Sequence, residues 1–317
     1  MFQVREVAVA VHLVAQAQVV QVEVIVVATA VAVAAVAEVV RKVQTKVGLG
    51  FRHQLKSDIF FYQNKIDILE IITDHYLDAT NAKLEELKVL HQHFSLAPHC
   101  LDLSLGSAEG IEESYLEKVA ELLETIESEW FSDHICFTKS GGRKIGHLAP
   151  VPYTREALEV FRRNIKQVKS VIKTPLILEN ITYMVQFPSS EMSESEFIKR
   201  LCDENDCGIL LDVTNLYINS VNFQFDWRKW LDNMPLERVV QLHFVGGHKQ
   251  KNWLIDSHAH QTPNEIWEVY REVCQRCNVR AAILERDDNF PKFTEIIEEL
   301  ETARSFSKSI NSLKAIV

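Results

Sequence analysis

Residues 241–260 read QLHFVGGHKQKNWLIDSHAH and hold the densest set of side chains able to do metal chemistry. A β-type run, Val239 to Phe244, delivers His243 to the end of a strand, and Gly246–Gly247 is expected to break that strand as a turn. Asp256–Ser257–His258 follows. In extended backbone, residues two apart share a face, so this carboxylate and this imidazole would point at one spot. Neutral imidazole with carboxylate is a ligand set for iron, manganese or zinc. A lone histidine after a strand is most often structural. Three candidate ligands on two neighbouring segments shift the reading toward a metal site.

Such ligands need elements that bring them together. The chain has 317 residues, 47% of them apolar and 25% charged, enough for one large core. From Lys46 onward, short apolar runs alternate with amphipathic segments. The strand candidates are Lys46–Phe51, Ile66–Ile72, Ser95–His99, Phe131–Phe137, Pro175–Asn180, Gly208–Val213, Arg238–Phe244 and Val279–Glu285. Helical patterns cover Ala82–His91, Glu112–Ser128, Thr154–Val171, Ser193–Asn205, a short stretch near Asp226–Asp232, Pro263–Cys277 and Pro291–Ala303. This alternation predicts a single α/β domain, a closed (β/α)8 TIM barrel over residues 46–305 with a tail over 306–317. No glycine-rich dinucleotide fingerprint follows the first strand, which argues against a doubly wound open sheet.

Glu70, His99, His134, Glu179, Asp212, His243 and Glu285 each fall at the end of one of strands two to eight. In a barrel those ends converge on one rim, where active sites are built. Glu70 is read instead as half of a buried ion pair with Arg52 or Arg286. The remaining rim residues with Asp256 and His258 give four carboxylates and four imidazoles. Four carboxylates crowded together repel one another and lose solvation, so they call for two or three cations. Asn180 and Asn215 could add neutral oxygens, with Asn215 following Asp212 where the strand turns into a loop. Among the remaining histidines, His248 has the best claim to touch substrate. Arg286 would hold a substrate carboxylate or neutralise its neighbours, and Asp287 stands beside it.

The net charge of −10 excludes a general basic field, so no nucleic-acid partner is expected. The six cysteines do not form a dense disulfide framework, and a reducing cytoplasm is the expectation. Residues 1–45 differ from the rest: a Val/Ala/Gln-rich, low-complexity extension without glycine or proline from Val7 to Val40. It is expected to be an appended helix or non-native sequence from a mis-assigned start. Its longest charge-free apolar run, Val24 to Ala37, is shorter than the roughly 20 residues of a membrane span, so no membrane association is expected.

GLGFR (48–52), Ser132–Asp133–His134, HLAPVPYT (147–154), LILENITYM (176–184), MSESEFI (192–198), LLDVTNLYINSVN (210–222), LHFVGGH (242–248), LIDSHAH (254–260) and ILERDDNFP (283–291) carry a resemblance. From Lys46 to Ala303 the chain resembles the multinuclear non-heme iron-dependent oxidative enzymes, which share a xylose-isomerase-like barrel and include the iron oxidase of methanobactin biosynthesis. The resemblance implies two or three irons held by His99, His134, Glu179, Asp212, Asn215, His243, Asp256, His258 and Glu285, with Glu179 and Asp212 bridging. It also implies O2 as co-substrate, a cysteine-containing ribosomal precursor peptide as substrate, and a partner protein that holds the peptide leader. Two positions depart from the family pattern: Cys100 replaces a frequent glycine after His99, and Thr73–Asp74–His75 replaces a more usual Glu–Asn pair. Alternative readings are a redox-neutral zinc or manganese hydrolase or isomerase on the same barrel, and a non-catalytic metal- or peptide-binding protein.

Overall fold

A computed structural model describes residues 45–313, with side chains through residue 307. The expectation of a separate extension over residues 1–45 falls almost wholly outside the described residues, as does the end of the expected tail.

Eight parallel strands close into a barrel: β1 (Lys46–Gly50), β2 (Ile68–Ile72), β3 (Ser95–His99), β4 (Phe131–His134), β7 (Leu176–Glu179), β8 (Gly208–Asp212), β9 (Val239–Phe244) and β12 (Ala281–Leu284). The period-2 alternation of each strand separates two cores. Ile68, Ala97, Trp130, Ile177, Leu210, Ala281 and Ile283 pack together as the lower layer of the barrel interior. Their strand neighbours, among them Leu69, Leu96, Phe131, Leu176, Leu178, Leu211, Leu242 and Leu284, pack outward with the helices. Two residues further along, the same inward face presents Glu70, His99, Ser132, Glu179, Asp212 and Glu285, all buried. The alternation that fills the barrel with apolar side chains below thus delivers polar ones at the C-terminal rim. Register aligns them: His134 is opposite Glu179, and Asp212 and Ile283 flank His243.

The structure corrects several boundaries. Gly246–Gly247 is not a turn. Gly246–Gln250 forms β10, which pairs antiparallel with β11 (Trp253–His260), and the hairpin reverses at Lys251–Asn252. A second hairpin, β5 (Phe137–Ser140) with β6 (Arg143–Ala149), occupies the expected loop after β4. Val213–Asn222 is helical where a loop was expected. Its Val, Thr and Asn residues have poor helix propensity, but the Asp212 side chain caps it by accepting from Asn215 N at 2.8 Å, and Val213 and Leu216 are buried. The last helix, Phe293–Leu313, runs past Ala303 into the segment expected as a tail.

Gly246 is required at its position because a Cβ there would lie 2.0 Å from the carbonyl oxygen of Gln261. Gly246→Ala is expected to push the base of β10 away from the end of β11, with which Gly246 pairs, at a cost of about 1–3 kcal/mol, read by denaturant unfolding. An unchanged unfolding midpoint would refute the tight approach.

Candidate metal centre

The side chains delivered to the rim form two groups whose ligand atoms lie within 4.8 Å of one another: His99, His134 and Glu179, and Glu179, Asp212, His243 and Glu285. A six-coordinate ion with bonds near 2.1 Å separates opposite ligand atoms by about 4.2 Å, so each group spans the size of one ion. Glu179 belongs to both. Its Oε2 is 3.3 Å from His134 Nε2 and 3.5 Å from His99 Nε2, while its Oε1 is 3.1 Å from His243 Nδ1. Glu285 Oε2 is also 3.1 Å from His243 Nδ1. Asp256 and His258 on β11 stand beside these groups, with His258 Nε2 3.0 Å from Asp256 Oδ2 and 3.8 Å from Glu285 Oε2.

The hydrogen-bond pattern shows what the centre lacks. Glu179 Oε2, Asp212 Oδ2, Asn215 Oδ1 and Asp256 Oδ1 are buried and accept no hydrogen bond. A buried acceptor left unpaired costs about 1–3 kcal/mol, and more when charged. Four such oxygens among imidazoles fit a cation better than any further donor in the chain. The Asn215 orientation is fixed, since its Nδ2 donates to Asn180 O at 3.0 Å and leaves Oδ1 free. Asn180 is used up otherwise: its Oδ1 accepts from Asp212 N at 2.9 Å and its Nδ2 donates to Asp212 O at 3.0 Å. It braces β8 rather than offering an oxygen.

Electrostatics follow from burial and crowding. Burial pushes the Asp212 carboxyl well above the usual range, and the charges of Glu179, Asp256 and Glu285 push it further. Burial alone would lower His243, but Glu285, Glu70 and Glu179 outweigh it and hold the ring protonated well above its ordinary value. His258 is raised in the same way, against burial, by Glu285, Asp256 and Asp287. Glu285 runs the other way: burial opposes ionisation, yet His243 and His258 hold it well below the carboxylate range. His99 is lowered by burial, then by His134 and His243.

Some expected residues stand elsewhere. Glu70 pairs with neither arginine. Its Oε2 is 2.8 Å from His243 Nε2, on the far side of the ring from Glu179. Arg52 instead binds Asp287. Arg286 is buried with Nη2 3.0 Å from Glu299 Oε1 on the last helix, whose charge it neutralises, while its buried Nε has no hydrogen-bond partner. Asp287 lies behind His258, with Oδ2 3.0 Å from its Nδ1, which makes it a support for the ring before anything else. His258 itself adopts φ +49°, a left-handed conformation that costs a non-glycine residue about 1–3 kcal/mol and concentrates at functional sites. His248 is half-buried on β10 with its Nδ1 unpartnered, its ring 5.6 Å from that of His260. Sequence reading missed the residues behind the ligands. Ser132 Oγ is 2.8 Å from His99 Nδ1, and Gln241 contacts both Glu70 and His243. The signal was present: both sit two residues before a rim histidine on an inward strand face.

The sequence profile of the RiPP precursor modification enzymes MbnB/TglH/ChrH matches residues 46–308. The chain belongs to this family. A UPF0276 protein of Caulobacter vibrioides is 33% identical over 240 residues, covering 76% of this chain and 86% of the relative. A UPF0276 protein of Anaeromyxobacter sp. is 33% identical over 256 residues, covering 81% and 90%. Among solved structures, D-psicose 3-epimerase from Clostridium cellulolyticum superposes with a TM-score of 0.53 at 12% identity, covering 84% of this chain and 99% of the epimerase. A putative xylose isomerase from Rhodospirillum rubrum gives 0.50 at 10% identity, covering 84% and 99%. These likenesses establish the xylose-isomerase-like barrel. As a MbnB/TglH/ChrH member the chain acts in the modification of ribosomal precursor peptides, and no helix among its described residues is long and apolar enough to cross a membrane.

Proposed function

We propose that this family member is a multinuclear iron, O2-dependent oxidase that modifies cysteine in a precursor peptide presented by a leader-holding partner protein, in the reducing cytoplasm. The observation that carries the reading is the set of buried, donorless oxygens of Glu179, Asp212, Asn215 and Asp256 gathered among imidazoles in a peptide-modifying family. His99, His134 and Glu179 would hold one ion, and Glu179, Asp212, His243 and Glu285 a second. Asp256 and His258, with Asn215, would hold a third or complete the second. Bound iron would supply Lewis acidity toward a thiol and one-electron chemistry with O2. The chain's own part is to fix its ligands on rigid strand ends and to keep their orienting partners buried. Asp287, anchored by Arg52, holds His258 by its Nδ1. His248, whose buried Nδ1 has no hydrogen-bond partner, would contact substrate or carry a proton. Exposed Ile145, Met184, Val185 and Val221 lie on segments that follow β4, β7 and β8, where a peptide would find apolar contact.

The test is anaerobic purification, metal analysis, and incubation with cysteine-containing peptides followed by mass spectrometry. Iron at two or three per chain and product formed only with O2 is the expected result. Full zinc or manganese occupancy with O2-independent turnover would replace the oxidase with a redox-neutral enzyme. Bound metal with no product from any co-expressed precursor would leave a binding protein.

A further inference from the structure

The barrel interior holds a polar chain that reaches from its lower layer to His243. Trp130, buried among Ile68, Ala97, Ile177 and Leu210, donates from Nε1 to Gln241 Oε1 at 2.8 Å. An indole nitrogen can only donate, so the Gln241 amide has one orientation and its Nε2 must face the other way. That Nε2 donates to Glu70 Oε2 at 2.6 Å. The same oxygen lies 2.8 Å from His243 Nε2, and the amide nitrogen lies 3.1 Å from it. A bare Nε2 would set its lone pair against a buried carboxylate oxygen, so Nε2 carries the hydrogen and donates to Glu70. Nδ1 faces Glu179 Oε1 and Glu285 Oε2, each at 3.1 Å, so it is the nitrogen that a cation held by those two carboxylates would meet.

The other imidazoles of the centre are turned the opposite way. His99 rests its Nδ1 on Ser132, His258 rests its Nδ1 on Asp287, and His99, His134 and His258 each aim Nε2 at the acidic groups.

We propose that Trp130, Gln241 and Glu70 are positioning residues that lock His243 in the single tautomer that presents Nδ1, rather than Nε2, to the metal site. The inference rests on the metal reading above. It assigns work to a tryptophan that hydrogen-bonds none of the imidazole or carboxylate groups of the centre. Partners that orient a ligand in this way typically change metal affinity by about 10–100-fold when removed.

The test uses Zn(II), which is diamagnetic, on the full chain labelled with 15N-histidine. Long-range proton–nitrogen correlation reads which nitrogen of His243 is metallated, with the resonance assigned by its loss in His243→Gln. Chelator competition gives the affinity. In the wild type His243 is expected to bind Zn(II) through Nδ1 and keep a proton on Nε2. Glu70→Leu should weaken Zn(II) by about 100-fold, and Trp130→Phe by about 10-fold, with His243 appearing as a mixture of Nδ1- and Nε2-bound forms. Glu70→Gln, which can still accept through its oxygen, should restore Nδ1 binding. Should Glu70→Leu fail to fold, Trp130→Phe decides the matter, since it deletes the indole N–H and keeps an apolar aromatic ring, though a smaller one. Wild-type affinity and pure Nδ1 ligation in Trp130→Phe would overturn the inference and leave the metal site standing. A wild-type chain that binds no Zn(II) would overturn the metal reading itself.

Discussion

Glu179→Ala is expected to lower bound iron to less than one per chain and to reduce peptide oxidation by more than about 1,000-fold, equivalent to about 4 kcal/mol. The reason is its membership of both ligand groups. Each of its oxygens faces a different imidazole set: Oε2 toward His99 and His134, Oε1 toward His243. Without it, two histidines on one side and two acids with His243 on the other lose their common anion. Asn215→Ala removes one neutral oxygen and is expected to cost only about 10-fold. Iron counted by mass spectrometry after anaerobic reconstitution, and product counted from the peptide, would separate the two. A Glu179→Ala protein that still holds two irons would show that the groups do not share this carboxylate.

The second large effect is on pH. In the metal-free centre Asp212, His243 and His258 all hold protons more tightly than their ordinary values predict. A cation must displace those protons, so affinity rises with pH, by about tenfold per unit for each proton released. With at least two displaced, loading is expected to weaken by about 100-fold or more between pH 7.5 and pH 6.5. The stability of the metal-free protein runs the opposite way. These groups have folded pKa values raised above the unfolded ones, so their contribution is complete below the unfolded values and is lost as pH rises through the folded ones. For Asp212 that window opens above the ordinary carboxylate value of 3.8, and for the histidines above the ordinary 6.5. Glu285, with a lowered value, contributes above its ordinary value of 4.5 and loses that only in acid, outside the window. Chelated protein should therefore lose stability from pH 6 to pH 8, while loaded protein does not. Denaturant titrations at both pH values, with and without metal, check the sign, and parallel pH profiles would show that no bound protons are exchanged for metal.

The barrel was legible because a parallel barrel writes its two faces into each strand. Leu176, Ile177, Leu178 and Glu179 show it in miniature: alternate residues fill the outer and inner cores, and the last inward one is polar. Asp256 and His258 were legible for a similar reason, two residues apart in an extended segment, although His258 reaches its place through a left-handed backbone rather than a plain pleat. The helix Val213–Asn222 was not legible, because an Asp212 cap and tertiary burial override a sequence poor in helix formers.

What the sequence determined by itself is the set of chemical groups and the strand ends that carry them, since hydrophobic period and residue type are local properties. Which partner each group takes was decided only by the closed barrel. Arg52 and Arg286 are both candidates for Glu70 along the sequence, and folding gives them Asp287 and Glu299 instead, leaving Glu70 to His243 across 173 residues of chain. Pairing of buried charges depends on distance and desolvation in three dimensions, and neither quantity exists along a linear chain.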